Sequence, residues 1–318
     1  MVPGCSKGAR CEAREISILR LRSGQIRDVI TDTLERGDPA QRSRWAFFNS
    51  LLAILYFLGA SSFAASSPFD DALAAYERSD YVQAMKLFRQ LADKGHQWAQ
   101  RRLGSMYAEG KGAPQDYQEA IKWYRLAAAQ RNTAAQYDLG LAYEKGQGVP
   151  QDLQEALVWY RLAATQEDEW AQTRLGSMSA EGKGVPQDFQ EAVKWYRLAA
   201  AQGYAPAEYS LGVAYEKGQG VPQDYQEAVK WYRLAAAQGY EWAQVNLGVM
   251  YTNGRGVQQD FVRAYMWFNL AAAALRSDSG DTATTNRDSI ASKMTAEQIE
   301  TAEEMARRCQ KSQLKNCE

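Results

Sequence analysis

Apolar and polar positions recur along this chain with a period of 36 residues. The dipeptide Leu-Gly appears five times at this spacing, from Leu103-Gly104 to Leu247-Gly248. One tryptophan and one aspartate series keep the same step: Trp123, Trp159, Trp195, Trp231 and Trp267, and Asp116, Asp152, Asp188, Asp224 and Asp260. A fixed period of a few tens of residues predicts a solenoid, in which each unit buries its apolar face against the next unit.

The first half of each unit predicts a helix. In one representative unit, Ala207, Leu211, Gly212 and Tyr215 fall on a single helical face. Gly212 has no side chain, so we expect a neighbouring helix to approach closely there. The run Gly-Gln-Gly-Val-Pro at 218–222 then ends the helix, because glycine allows positive φ and proline cannot continue a helix.

The second half of the unit predicts a second helix. Asp224 can cap its start, and Glu227 three residues later completes the pattern of a capping box. An apolar stripe follows at helical spacing: Ala228, Trp231, Tyr232, Ala235 and Ala236. Gly239 ends the helix, so each unit is expected to be a pair of antiparallel helices.

Both ends of the repeat region depart from the pattern. A shorter pair, Phe69–Arg78 and Tyr81–Lys94, precedes the five full units, which makes about six helical pairs within 68–275. In the segment 276–318, Thr295 and Gln298 offer a capping box. The helix that they start carries Ile299, Ala302, Ala306 and Cys309 on one face. We expect this helix to cover the open end of the last unit.

The pattern A-x-x-x-L-G-x-x-Y-x-x-G-x-G-V-P-Q-D-x-x-E-A-x-x-W-Y-x-x-A-A resembles the Sel-1-like repeat family, a relative of the tetratricopeptide repeats. The resemblance covers about 205 of the 318 residues. It implies an all-α, right-handed α/α superhelical solenoid that binds proteins or peptides as an adaptor. The segment 266–271 and the later Asn286-Arg287-Asp288 are also similar to the ending of exported bacterial members.

The resemblance also implies where a ligand would bind, because the first helix of each pair lines the concave groove in tetratricopeptide repeats. The corresponding aromatic and charged positions here are Trp98, Arg101, Glu109, Tyr137, Lys145, Trp170, Tyr209, Lys217 and Trp242. The three tryptophans lie 72 residues apart and alternate with the two tyrosines, which predicts an aromatic track with a two-unit super-repeat. Rigid aromatic rings suit peptides or sugar rings. The alternative is that these rings fill the seams between units.

One unit lacks an aromatic ring that the others have. Ser179 replaces the tyrosine found at positions 107, 143, 215 and 251. Loss of a buried ring predicts a gap or a wetter patch in the middle of the solenoid. The alternative is sequence drift with no functional meaning.

The composition of the chain excludes several classes of function. Lys plus Arg is 37 and Asp plus Glu is 38, a net charge of −1, which argues against a nucleic-acid partner. His96 is the single histidine, and no cysteine lies in the repeats, so a histidine-dependent nucleophile or a histidine-rich metal site is not expected. The recurring Gly-x-Gly runs join two helices and lack the strand that a phosphate loop needs. We therefore predict a protein with no catalytic residues, metal or cofactor.

Residues 42–64 predict a secretory signal peptide. Arg42 and Arg44 form a basic flank, the run 51–58 is entirely apolar, and Ser62-Phe63-Ala64 offers a cleavage site. The alternative is an uncleaved membrane anchor through 45–65, although several polar residues weaken it. Because about forty residues precede this segment, we expect residues 1–41 to be a non-native or disordered extension upstream of the true translation start.

Cleavage of the signal peptide would remove Cys5 and Cys11 and leave two cysteines in the exported chain. Cys309 and Cys317 form an even pair near the end of the chain, which predicts one disulfide in an oxidising compartment such as the periplasm. The sequence thus predicts an exported, non-catalytic scaffold of the cell envelope that binds a protein or peptide in its groove and has no stable membrane insertion after cleavage. An envelope polysaccharide or peptidoglycan binder is the alternative, and self-assembly is a third hypothesis. Partner identity and oligomeric state stay open.

Overall fold

The computed structural model describes residues 67–274 and 278–312, together with Leu314 and Cys317. Within these residues the chain forms fourteen α-helices and no strand. The predicted leader at 42–64 and the segment 1–41 lie outside the described residues, as does the anchor proposed for 45–65. The all-α solenoid predicted from the 36-residue period is confirmed.

Six helical pairs build the repeat region. Their helices are α1 (Pro68–Glu77), α2 (Tyr81–Ala92), α3 (Gln97–Glu109), α4 (Tyr117–Ala129), α5 (Thr133–Lys145), α6 (Leu153–Ala164), α7 (Glu169–Glu181), α8 (Phe189–Ala201), α9 (Ala205–Lys217), α10 (Tyr225–Ala237), α11 (Glu241–Asn253) and α12 (Phe261–Ala274). Two further helices follow, α13 (Asp278–Ala291) and α14 (Ala296–Lys311). Each repeat helix packs against the next one along the chain, so odd-numbered helices are the first helices of a pair and even-numbered helices the second.

A glycine lets the two helices of a pair come into close contact. A Cβ atom at Gly212 of α9 would lie 2.5 Å from the Tyr232 ring of α10. The same relationship holds one unit earlier, where a Cβ at Gly176 would lie 2.6 Å from the Tyr196 ring. Real Cβ atoms do not approach a ring so closely, which explains the glycine of the Leu-Gly motif.

The turn within a unit also depends on glycine. Gly218 ends α9 in the left-handed conformation, at φ 68°, where a side chain would be strained. Gly220, at φ 75°, packs on the preceding unit, and a Cβ there would lie 2.1 Å from the Phe189 carbonyl oxygen. The Gly-x-Gly run therefore both reverses the chain and joins neighbouring units.

Capping of the second helices follows the prediction only in part. Asp224 accepts hydrogen bonds from the backbone N–H groups of Gln226 and Glu227, as expected of an N-cap. The expected return bond from the glutamate is not made. The Asp224 N–H donates to the Tyr215 carbonyl at 3.0 Å, so it is not available to the glutamate. Glu227 instead accepts from Lys230 Nζ at 2.7 Å. The capping box predicted at Thr295 and Gln298 is confirmed.

Buried glutamines join successive pairs. Gln100 of α3 donates from Nε2 to the Ala92 carbonyl of α2 at 3.1 Å, and it accepts from Gln130 Nε2 at 2.7 Å. The position recurs every 36 residues, and we call this series the glutamine ladder: Gln100, Gln136, Gln172, Glu208 and Gln244. All five side chains are buried. The ladder supplies polar partners inside an otherwise alanine-rich seam.

The last pair is covered by the two C-terminal helices. Leu234 of α10 is 49% exposed, whereas Leu270 at the same position of α12 is 4% exposed. Leu270 belongs to a core cluster with Ala283 of α13 and Ala302 of α14. These helices thus form the expected cap over the final unit.

Candidate functional site

The three predicted groove tryptophans are partly exposed. Trp98, Trp170 and Trp242 each occupy the second position of a first helix, and their exposures are 48%, 54% and 40%. None of them is a core residue, so the alternative that these rings fill the seams between units receives no support from their burial. They remain candidate contact residues.

The two predicted groove tyrosines are half-buried and contact other rings. Tyr137 of α5 lies 6.3 Å from the Trp170 ring of α7, measured between centroids. Trp170 in turn lies 5.1 Å from Tyr204, which precedes α9. Tyr209 of α9 lies 5.2 Å from Tyr240, which precedes α11. We call these five residues the aromatic row.

The charged groove candidates divide into engaged and unengaged groups. Arg101 of α3 bonds through Nε to Asp138 of α5 at 2.8 Å, so it links two pairs. Burial raises the pKa of the Asp138 carboxyl, and the neighbouring Arg101 guanidinium opposes that rise. Glu109 is neutralised by Lys111 at 2.7 Å. Arg101 is therefore engaged between two helical pairs and Glu109 within its own unit, so both charges already have partners.

Lys145 and Lys217 are the unengaged cations. Both side chains end a first helix and are exposed. Among the described residues, neither ammonium group has an ion-pair or hydrogen-bond partner. They are separated by 72 residues, so positive charge returns on the same super-repeat as the tyrosines of the aromatic row.

A cavity of about 530 Å³ lies between α7, α8 and α9. Two of the predicted groove residues, Tyr209 and Lys217, line it. We call it the α7–α9 cavity. Its other lining residues are Ala180, Glu181, Gln187, Phe189, Ala192, Val193, Tyr196, Ser210, Val213, Ala214 and Gln219. Its volume falls within the roughly 300–1000 Å³ range typical of ligand sites.

The preceding interface shows why this space is empty. There, Glu144 of α5 accepts from the Tyr160 hydroxyl at 2.8 Å and from Arg174 Nε at 2.7 Å. Arg174 also donates to the same carboxylate through its second terminal nitrogen. This Glu–Arg pair fills the seam between α5, α6 and α7.

The corresponding residues 36 positions later are Ala180 and Ser210. Both side chains are too short to meet across the seam, so the Glu–Arg pair has no equivalent. The Tyr196 hydroxyl, which corresponds to that of Tyr160, donates to Ser177 Oγ at 3.4 Å and also has a hydrogen bond with the Ser210 side chain. Burial raises the pKa of Tyr196, so its hydroxyl stays protonated.

The gap predicted at Ser179 is not part of this cavity. Ser179 is 7% exposed and does not line the space, whereas its neighbours Ala180 and Glu181 do. In other units the tyrosine at this position accepts from an arginine, as Tyr143 does from Arg125 at 2.9 Å. The missing ring therefore affects an arginine–tyrosine contact on the opposite side of α7.

Several site residues were not among the sequence-based candidates. Tyr204 and Tyr240 stand at N-cap positions that hold His96, Asn132 and Asp168 in other units. Neither tyrosine makes a side-chain capping bond. That loss of a capping residue was the available signal that their rings serve another contact. Ala180 and Ser210 indicate an unfilled seam only when they are compared with Glu144 and Arg174, the residues 36 positions earlier.

The single histidine has a structural role. His96 caps α3 by accepting from the Ala99 N–H at 3.3 Å and stacks on Phe69. Over the residues described, no group of three or more metal-ligating side chains comes together. None of the described helices is long and apolar enough to span a bilayer.

The fold defines a helical-repeat scaffold of stacked helix pairs, and the candidate site is a cavity between two neighbouring pairs. The chain belongs to the Sel1 repeat family. The family model of the Sel1 repeat matches more than half of the chain, at residues 74–96, 99–132, 133–168, 171–204, 205–240 and 243–274. Repeats of this kind typically form non-catalytic scaffolds for protein interactions.

One solved structure agrees with this family, and two others show weaker similarity. The chain is 32% identical to a Sel1 repeat protein from Oxalobacter formigenes, over 71% of this chain and 88% of that chain, with a TM-score of 0.63. It is 30% identical to a protective antigen present in uropathogenic Escherichia coli strains and displaying an SLR fold, over 74% of this chain and 58% of that chain, with a TM-score of 0.48. An immunity protein from Pseudomonas aeruginosa is 21% identical, over 64% and 81% of the two chains, with a TM-score of 0.45. Comparison with curated proteins gives no match.

Proposed function

We propose that this protein is an exported, non-catalytic adaptor that binds a protein or peptide partner along its first helices. The observation that carries the proposal is the exposure of Trp98, Trp170 and Trp242 on the first helices. The α7–α9 cavity, which Tyr209 and the unengaged Lys217 line, supports it. Ring surfaces provide contact area at low entropic cost, and a lysine adds charge selectivity. The preceding seam is filled by the side chains of Glu144 and Arg174.

A capture experiment tests this function. The full chain with an affinity tag is expressed in its native cells, and bound proteins are captured after crosslinking. A variant with Trp98, Trp170 and Trp242 changed to alanine should lose the specific partner. The matched control changes Leu126, Leu198 and Leu234 to alanine, because these leucines of the second helices are equally exposed, at 49%, 51% and 49%. Loss of the partner by the control alone would move the binding surface to the second helices.

A polysaccharide partner is the second candidate. The exposed Trp170, flanked by Tyr137 and Tyr204, could stack on a sugar ring. Stacking on a neutral glycan should survive high salt, whereas a peptide held through Lys145 and Lys217 should bind more weakly as salt rises. Binding to isolated envelope polysaccharide at two salt concentrations separates the two candidates.

Export is part of the proposal. The disulfide between Cys309 and Cys317 supports it, because such bonds persist in oxidising compartments. The predicted signal peptide at 42–64 gives the route. We expect the native protein to begin near position 65 and to contain no free thiol at either cysteine. Intact mass and thiol labelling of native protein test both points, and peptides from 12–36 would contradict the proposed translation start.

A further inference from the structure

The α7–α9 cavity has a lining that specifies more than a general partner. We propose that it is a recognition pocket for an aromatic side chain with an adjoining carboxylate, presented by the partner of the groove. This inference rests on the function proposed above. It names the part of the partner that enters the solenoid, and the chemistry by which that part is recognised.

The floor of the cavity is apolar. Ala192, Val193 and Ala214 lie in the core, and Val213 is partly exposed at the α9 side. An apolar floor favours an uncharged, hydrophobic group over water. A charged side chain that entered fully would lose its hydration without a compensating partner.

Two tyrosine rings favour an aromatic occupant. Tyr196 and Tyr209 both line the cavity. Tyr209 is held in place by its contacts with the rings of Tyr232, at 5.9 Å, and Tyr240, at 5.2 Å. Aromatic pairs prefer offset or edge-to-face arrangements, so a ring entering beside a fixed ring gains directional contacts that an aliphatic chain does not.

The charge at the cavity mouth selects an acid. Glu181 lines the mouth but is paired with Lys183 at 2.6 Å. Lys217 lines the same mouth and has no partner among the described residues. The unbalanced charge available to a ligand is therefore positive, and a carboxylate next to the bound ring would complete an ion pair at the surface.

A direct test fills the cavity with the side chains that fill the preceding seam of the same protein. Ala180→Glu together with Ser210→Arg introduces the residues that Glu144 and Arg174 provide one interface earlier. The refilled seam should fold, because the chain already forms this arrangement around Tyr160. Binding of N-acetyl-tryptophan and of its uncharged amide is measured on the purified full chain by ligand-observed NMR titration.

We expect saturable binding of N-acetyl-tryptophan, and weaker binding of the amide by about two- to fivefold because the contact with Lys217 is exposed. Lys217→Gln should remove this preference, whereas Lys145→Gln, which changes the unengaged lysine outside the cavity, should retain it. The refilled variant should lose at least about tenfold in affinity. A second variant, Val213→Trp, blocks the cavity from α9 and should lose affinity in the same way.

Unchanged binding in a folded refilled variant, or absence of binding by the wild type, would overturn the pocket. Equal binding of the acid and the amide would overturn the carboxylate assignment. The adaptor function is tested separately by the tryptophan variant, whose three substitutions lie outside the cavity. Partner capture that needs the tryptophans but tolerates the refilled seam would refute this inference and retain the adaptor.

Discussion

Gln238 donates a hydrogen bond from Nε2 to Glu208 Oε2 at 2.7 Å. In the corresponding places of the glutamine ladder the acceptor is a glutamine, as Gln172 is for Gln202. Those glutamines also donate to a carbonyl of the preceding pair, as Gln172 does to Ala164. An ionised Glu208 has no proton to donate, so the corresponding carbonyl lacks this partner.

The first prediction concerns Glu208→Gln. Burial raises the pKa of Glu208 above its ordinary value of 4.5, so the folded state holds a proton that the unfolded state has lost. The contribution of Glu208 to stability should therefore be fully present below pH 4.5 and should be lost as pH rises through the raised pKa. Glu208→Gln removes this loss and should stabilise the protein at pH 7 by about 1–2 kcal/mol.

Urea denaturation of both proteins from pH 4 to pH 8 checks this prediction. The difference in unfolding free energy should shrink toward zero at the acidic end, where Glu208 is protonated. Gln172→Glu is the matched control, since it places a carboxylate at the preceding position of the ladder and should reproduce the same pH dependence. A constant difference across the pH range would contradict the assignment.

Glu144 should contribute far more to stability than an exposed glutamate. Glu144→Ala removes the acceptor of the buried Tyr160 hydroxyl and of Arg174, and we expect a loss of about 2–4 kcal/mol. Glu181→Ala breaks only the exposed pair with Lys183 and should cost less than about 1 kcal/mol. The double variant Glu144→Ala with Arg174→Ser should be milder than the single one, and a simple sum would refute the coupling.

Gly212→Ala should destabilise the protein although alanine favours helices. The new methyl group would clash with the Tyr232 ring at 2.5 Å, and overpacking of this kind costs about 1–3 kcal/mol. Lys217→Ala, at the end of the same helix, removes an exposed side chain that has no partner among the described residues. It should change stability by less than about 0.5 kcal/mol. Thermal unfolding of the two variants compares them directly, and equal melting temperatures would argue against close packing at Gly212.

Replacement of Leu234 and of Leu270, which occupy equivalent positions of the last two pairs, should have very different effects on stability. Leu270→Ala leaves a cavity under α13 and α14, so we expect a loss of about 2–5 kcal/mol. Leu234→Ala removes a half-exposed side chain and should stay within about 0.5 kcal/mol. Chemical denaturation of both variants measures the contribution of the cap. Similar losses would mean that the C-terminal helices do not shield the last unit.

The repeat made most of this fold predictable. Leu211, Gly212 and Tyr232 recur with their spacing intact, so the period alone defined the helical pairs, their turns and the tight contact between them. The cap was predictable for a similar reason, since Thr295 and Gln298 form a local signal. Local and periodic patterns determine these features, and no long-range contact had to be known.

The candidate site was less predictable because it depends on departures from the repeat. Ala180 and Ser210 are small residues that draw no attention in isolation. Their effect appears only across a seam whose counterpart holds Glu144 and Arg174. Arg101 shows the converse, since its charge suggested a ligand contact, yet Asp138 already engages it. Side chains that meet between units cannot be paired from spacing within one unit.

The alternation of tryptophans and tyrosines gives the solenoid a parity. Trp98, Trp170 and Trp242 belong to every second unit, and Tyr137 and Tyr209 belong to the units between them. Loss or gain of a single internal unit by recombination would leave the helical stacking intact but would place two units of the same kind side by side. Loss or gain of two adjacent internal units would preserve the order of the rings. A change of length inside the repeat region that keeps this surface can therefore occur only in steps of 72 residues.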